Sequence, residues 1–157
     1  MIVRRLNHAV LWVRDAAASA EFYGDALGFE VVESDSSGRA VFMRGSGSDN
    51  HHDLGLFTVG DRPSPPPRSP GLYHLAWQVP TIEDLATAAR ELGARDALVG
   101  ASDHGVSKSL YARDPDGIEF EVMWQVPDDE WGTAGDHATV APLDLDAELT
   151  RWAGVTT

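Results

Sequence analysis

The chain has 157 residues, enough for one domain with a sizeable core, and 43% of them are hydrophobic against 24% charged. It carries 25 acidic and 12 basic side chains, a formal charge of −13, so phosphate backbones and anionic lipid are repelled and neither nucleic acid nor membrane is expected as a partner. Cysteine is absent, which excludes disulfides, thiolate metal sites and a cysteine nucleophile and leaves histidine and carboxylate to hold any metal.

Residues 6–13, Leu6-Asn7-His8-Ala9-Val10-Leu11-Trp12-Val13, have the apolar and β-branched content of a strand. Two arginines precede them, as in a secretion signal. Asn7 and His8 interrupt the apolar run, however, and Arg14-Asp15 follow without a small-residue cleavage site, so the segment reads as a strand of a cytoplasmic protein. Residues 15–26 read as an amphipathic helix with Ala18, Phe22 and Leu27 near one face. Gly28 follows where a helix ends in a left-handed residue. Strands are expected at 29–34, 39–44 and 52–59. The segment from Gly60 to Gly71 holds five prolines in twelve residues, which cannot donate to a ladder, and reads as an extended linker.

The pattern then begins again. Residues 72–79, Leu72-Tyr73-His74-Leu75-Ala76-Trp77-Gln78-Val79, form the second opening strand, with His74 and Gln78 on the face opposite Tyr73, Leu75, Trp77 and Val79. The helix over 81–92 has Thr81 as N-cap and Ile82, Leu85, Ala89 and Leu92 as its apolar stripe, and Gly93 stands where Gly28 stood. The two histidines are 66 residues apart and the two Leu-Gly pairs 65, which marks an internal repeat. Further strands are expected at 96–100, 106–113 and 118–125. The chain thus divides into a module over 4–60, a Pro-rich linker over 61–71, a module over 72–126 and a tail over 127–157. In the tail, Leu143 to Trp152 reads as a short helix. Trp131 and Trp152, with Leu143, Leu145 and Leu149, would form an unusual apolar patch on a monomer, so a homodimer with the tail at its interface is expected.

Asp114-Pro115-Asp116-Gly117 is a turn entering the strand Ile118-Glu119-Phe120-Glu121-Val122-Met123-Trp124. Carboxylates inside so apolar a strand need partners. Glu119 and Glu121 share strand parity, so alternation does not choose between them.

A βαβββ module repeated twice, a histidine in each opening strand, and DPDG with a glutamate four residues after its glycine resemble the vicinal oxygen chelate superfamily. It includes glyoxalase I, fosfomycin-resistance thiol transferases, bleomycin-binding proteins and extradiol dioxygenases. The resemblance covers about residues 4–126. It implies an α+β fold in which two βαβββ modules form a cupped, barrel-like mixed sheet with helices outside. It also implies His8, His74 and Glu121 as ligands of one divalent metal, with Glu119 facing the same side without ligating.

Three further features resemble the extradiol dioxygenases. They are His51-His52-Asp53-Leu54-Gly55-Leu56-Phe57, like the strand that carries an active-site histidine before an aspartate, the segment Asp103-His104-Gly105-Val106-Ser107, and Tyr111 ten residues before Glu121. The familiar ring-cleaving enzymes have four modules, and the spacing from His104 to the turn is shorter here, so the chain resembles their catalytic half. The resemblance implies Fe(II), or Mn(II) or another divalent metal, with dioxygen and a catechol-like aromatic as partners. His52 would act on oxygen and in proton transfer, and His104 and Tyr111 would bond the substrate oxygen and supply a proton. Taken singly, His51 and His52 could be a solvated turn, His104 a loop histidine and Tyr111 an ordinary strand tyrosine; His137 is given no role. The alternatives are another metalloenzyme of the superfamily, a lyase, isomerase or thiol transferase, and a drug-binding protein without chemistry, which would lack the triad.

Overall fold

The computed structural model describes residues 2–66 and 68–157; Met1 and the linker's Pro67 lie outside them. The chain divides into two compact units, Met1–Pro67 and Arg68–Thr157. The first holds β1 (Ala9–Val13), α1 (Ala16–Leu27), β2 (Phe29–Ser34), β3 (Ala40–Gly45) and β4 (Leu54–Thr58) in a sheet of order β1-β4-β3-β2. The second repeats it with β5 (Leu75–Val79), α2 (Ile82–Ala94), β6 (Leu98–Asp103), β7 (Ser107–Arg113) and β8 (Glu119–Gln125), in order β5-β8-β7-β6. In each sheet the opening strand lies parallel to the last strand and the other pairs are antiparallel. The α+β class and the βαβββ repeat therefore hold. Among the described residues no helix is long and apolar enough to cross a membrane.

Local chemistry explains the helix ends. The Asp15 carboxylate accepts the Ala17 and Ala18 N–H groups, and Gly28 (φ 72°) closes α1 by donating to the Gly24 and Tyr23 carbonyls. Thr81 caps α2 by accepting the Asp84 N–H. Gly93, expected as the left-handed end, lies inside α2. The left-handed position falls to Asp96 (φ 53°), and the Ala97 N–H reaches back to the Leu92 carbonyl at 2.9 Å. That six-to-one bond is the Schellman closure, and aspartate tolerates the left-handed position better than most residues.

The apolar stripe of α1 also differs from its periodicity. Ala18 is exposed and Phe22 and Leu27 are half-buried, while Ala16, Ala20, Tyr23 and Ala26 are buried. In an alanine-rich helix two stripes satisfy the 3.6-residue repeat, and packing against the sheet selects one. In α2 the stripe is as spaced, with Ile82, Leu85 and Leu92 fully buried and Ala89 half-buried.

The opening strands are shorter than their composition suggests. Pairing begins at Ala9 opposite Leu54 and at Leu75 opposite Phe120. His8 and His74 therefore stand one residue before their strands instead of within them, at matching positions of the two modules. On β8, Phe120, Val122 and Trp124 are buried, which turns Glu119 and Glu121 to the other face.

The tail folds onto the second module. Two 3-10 turns, Asp128–Glu130 and Gly132–Asp136, lead to α3 (Leu145–Trp152). The Trp152 ring lies 5.6 Å from that of Trp124 and is only 7% exposed. Trp131 is half-buried, and its indole N–H donates to the Val126 carbonyl. The apolar patch expected at a dimer interface is thus largely spent within the chain. Lys108, 4% exposed, adds a second anchor: its ammonium lies 2.6 Å from Asp103 and 3.6 Å from Glu148 of α3. The Glu148 contact thus holds the tail by an ion pair as well as by apolar packing.

Candidate functional site

The second module brings His74 and Glu121 together. Parallel pairing of β5 with β8 sets Ala76 opposite Glu121, and His74 Nε2 lies 3.1 Å from Glu121 Oε2. The two side chains are 26% and 13% exposed, so the carboxylate needs a cation or a donor. Glu119, on the same face, instead turns to Arg113, the residue opposite it on β7, at 3.4 Å. Two donors each about 2.1 Å from one cation at right angles would stand about 3 Å apart, so the His74–Glu121 spacing suits a metal. An imidazole N–H donating to the carboxylate would occupy the same spacing. Among the described residues His74 Nδ1 is buried without a hydrogen-bond partner, so nothing on that side holds the ring in the tautomer that frees Nε2.

Tyr111 faces Glu121 across the β7–β8 ladder, and its ring centroid is 5.9 Å from that of His74. Its hydroxyl lies 2.8 Å from His104 Nε2. Burial, followed by the charge of Glu121, raises the Tyr111 pKa above 10.0, so the phenol keeps its proton at neutral pH. His104 stands in the β6–β7 turn, where its N–H donates to the Ser107 carbonyl and the Gly105 N–H to the Asp103 carboxylate.

The first module brings His8 and His52 together, with ring centroids 4.7 Å apart. His8 Nδ1 is 2.9 Å from Asn7 Oδ1. An amide oxygen only accepts, so Nδ1 carries the proton and Nε2 is left with its lone pair, the arrangement a metal ligand needs. Asn7 is tied to Asn50, and Asn50 to Asp53. Burial opposes the Asp53 charge, but the Gly45 N–H, Ser48 hydroxyl and Asn50 amide outweigh it and hold the pKa below 3.8. The carboxylate so organised shapes the loop that carries His52. Burial, then His8 and His51, lower the His52 pKa below 6.5, so the ring is neutral at neutral pH and able to take a proton. His51 Nδ1 is 3.1 Å from His52 Nδ1.

Two clusters result: His8 with His51 and His52 in the first unit, and His74, Glu121, Tyr111 and His104 in the second. Within neither unit do three His, Asp or Glu side chains group as a metal would require, among the described residues. Spacing and composition missed Asn7, Asn50 and the structural part of Asp53. The signal available was a run of amides and a carboxylate flanking the histidines.

The family model described as the Glyoxalase/Bleomycin resistance protein/Dioxygenase superfamily matches residues 5–122. The chain is similar to a catechol-2,3-dioxygenase of Bacillus subtilis (strain 168), 31% identical over 80% of this chain and 43% of the relative. It is also similar to a biphenyl-2,3-diol 1,2-dioxygenase 3 of Rhodococcus globerulus, 35% identical over 78% of this chain and 64% of the relative. It therefore spans less than two thirds of the length of each of these curated relatives. In fold it is similar to a glyoxalase/dioxygenase from Nostoc punctiforme, with TM-score 0.65 and 24% identity over 79% of this chain and 92% of that one.

Proposed function

This chain belongs to the Glyoxalase/Bleomycin resistance protein/Dioxygenase superfamily, and on that premise we propose that it is a metal-dependent extradiol-type dioxygenase that opens a catechol-like aromatic ring. The observation that carries the reading is the continuous path His104–Tyr111–Glu121–His74. It sets a protonated phenol and an imidazole beside a histidine–carboxylate pair suited to a cation. Relatives named as catechol and biphenyl-diol dioxygenases support the substrate class.

In this reading His8, His74 and Glu121 hold the metal, Fe(II) by preference and Mn(II) as the alternative. Two imidazoles and one carboxylate suit such ions and leave positions for a chelating substrate and dioxygen. When bound, the metal supplies Lewis acidity and electron transfer between substrate and oxygen. The protein's own groups do the rest. The Tyr111 O–H donates to His104 Nε2 at rest and can turn to the substrate oxygen, and His104 Nε2 can take or return that proton. Neutral His52 accepts the proton that a catechol gives up on binding.

The test is reconstitution of anaerobically purified chain with Fe(II) or Mn(II), followed by a panel of catechols. Oxygen uptake should match, mole for mole, the appearance of a yellow ring-opened product containing both oxygen atoms. No uptake with any catechol, alongside turnover of a hemithioacetal or of fosfomycin with a thiol, would move the chain to another branch of the superfamily.

The reading includes a homodimer, with its interface away from the Trp152 face. Leu72 and Tyr73, 63% and 74% exposed, support a contact surface elsewhere. Light scattering at micromolar concentration should return twice the 17.0 kDa chain mass. A monomer there would remove the dimer and leave the metal site untouched.

A further inference from the structure

The tail lies beyond the residues that the family model matches, yet its backbone reaches the proton-transfer pair. His104 Nδ1 is 2.8 Å from the Thr139 carbonyl while Nε2 is 2.8 Å from the Tyr111 hydroxyl. A carbonyl oxygen can only accept, so the proton of the neutral ring stands on Nδ1. Nε2 then presents a lone pair, and the Tyr111 O–H donates to it. We infer that the C-terminal segment, through the Thr139 carbonyl, locks His104 in its Nδ1–H tautomer and so aims Nε2 at Tyr111 as the proton acceptor of the site.

The strand–tail contacts show why that carbonyl stays in place. Asp103 N–H donates to the Ala141 carbonyl at 2.8 Å and Ala141 N–H to the Asp103 carbonyl at 2.9 Å, pairing the tail with the end of β6. Ahead of Thr139, a Cβ on residue 105 would stand 2.6 Å from the Ala134 Cβ, so only glycine, here at φ +76°, lets the tail approach. Beyond it, α3 is fixed by Lys108–Glu148 and by Trp152 on Trp124, and the last residues bond to Pro80 and Glu83. Thr139 is thus clamped from both sides. If a proton passes from Tyr111 Oη to His104 Nε2, the products are a phenolate and an imidazolium whose Nδ1–H still meets the Thr139 carbonyl. The charge formed on the ring is therefore met by an acceptor already in position. Thr139 is a positioning residue, acting through its backbone.

The tautomer stands apart from any activity, whereas its use in turnover rests on the ring-cleavage reading above. The direct test is 15N-histidine NMR of the full chain loaded with diamagnetic Zn(II), with the His104 signals assigned by their loss in His104→Gln. The intact chain should show His104 protonated at Nδ1 alone, and Thr139→Ala should show the same because the side chain is not involved. Replacing the Thr139–Val140 amide by an ester weakens that carbonyl as an acceptor. It should release a mixture of tautomers and lower kcat on a catechol about 10–100-fold with KM within about threefold. Gly105→Val, which forces the tail away, should act in the same direction. An intact chain with the proton on Nε2, or an ester chain that keeps the single Nδ1–H form, overturns the lock. A shifted tautomer with unchanged kcat overturns its role in turnover. Absence of catechol turnover in the intact chain would count against the dioxygenase reading alone, leaving the NMR result to decide the lock.

Discussion

Glu121→Ala should lower metal affinity by at least about 100-fold, whereas Glu119→Ala should leave it within about threefold. Deleting an outer partner of a metal ligand already costs about 10–100-fold, so deleting a ligand costs more. The two glutamates share a strand face and differ in what they meet: Glu121 lies 3.1 Å from His74, and Glu119 lies 3.4 Å from the exposed guanidinium of Arg113. His8→Ala and His74→Ala should match Glu121→Ala. Metal content after equilibrium dialysis, measured by mass spectrometry on folded protein, checks all four variants. A chain that keeps its metal without Glu121 and loses it without Glu119 would reverse the assignment within β8.

Tyr111→Phe and His104→Phe should each retain metal and lose about 10²–10⁴ in kcat, the usual worth of a positioned proton-transfer group. Tyr111→Phe removes one hydroxyl and leaves the ring that faces His74. In the metal-free chain burial, then the Glu121 carboxylate, keeps that hydroxyl protonated, so there the substitution removes a donor without removing a charge. His104→Phe leaves the phenol in place but takes away its 2.8 Å acceptor. His52→Ala should likewise spare the metal and slow turnover, since this neutral imidazole lies beside His8 without being a proposed ligand. Steady-state oxygen consumption with metal content fixed is the measurement. Unchanged rates in the His52 and His104 variants would remove the reason to prefer a dioxygenase over its relatives.

Much of the architecture is legible in local chemistry. Strand 29–34 appears as Phe29–Ser34, and the turn before β8 is built on the Asp114 carboxylate, which accepts the Asp116 and Ile118 N–H groups. Thr81 and Gly28 mark helix ends because a cap needs only neighbours within one turn. The repeat is legible for the same reason, since each module restates its own local signals. Gly93 and the Ala18–Phe22–Leu27 stripe show where this stops. Both satisfy a local rule, and the closure at Asp96 and the sheet beneath α1 chose otherwise.

The site depends more heavily on tertiary structure. Parity leaves Glu119 and Glu121 equivalent; the β5–β8 and β7–β8 registers bring one to His74 and the other to Arg113. Nothing in the composition of the tail tells whether Trp152 meets its own module or a partner. Trp124, on the buried face of β8, decides that. The Thr139 carbonyl has no sequence signature, because every residue carries one. The elements, their repetition and the chemical types available for a metal and for proton transfer can be read along the chain, since these follow from neighbours within a turn or a strand period. Which of those groups meet is settled by the folded chain alone, because register and packing join residues that lie tens of positions apart.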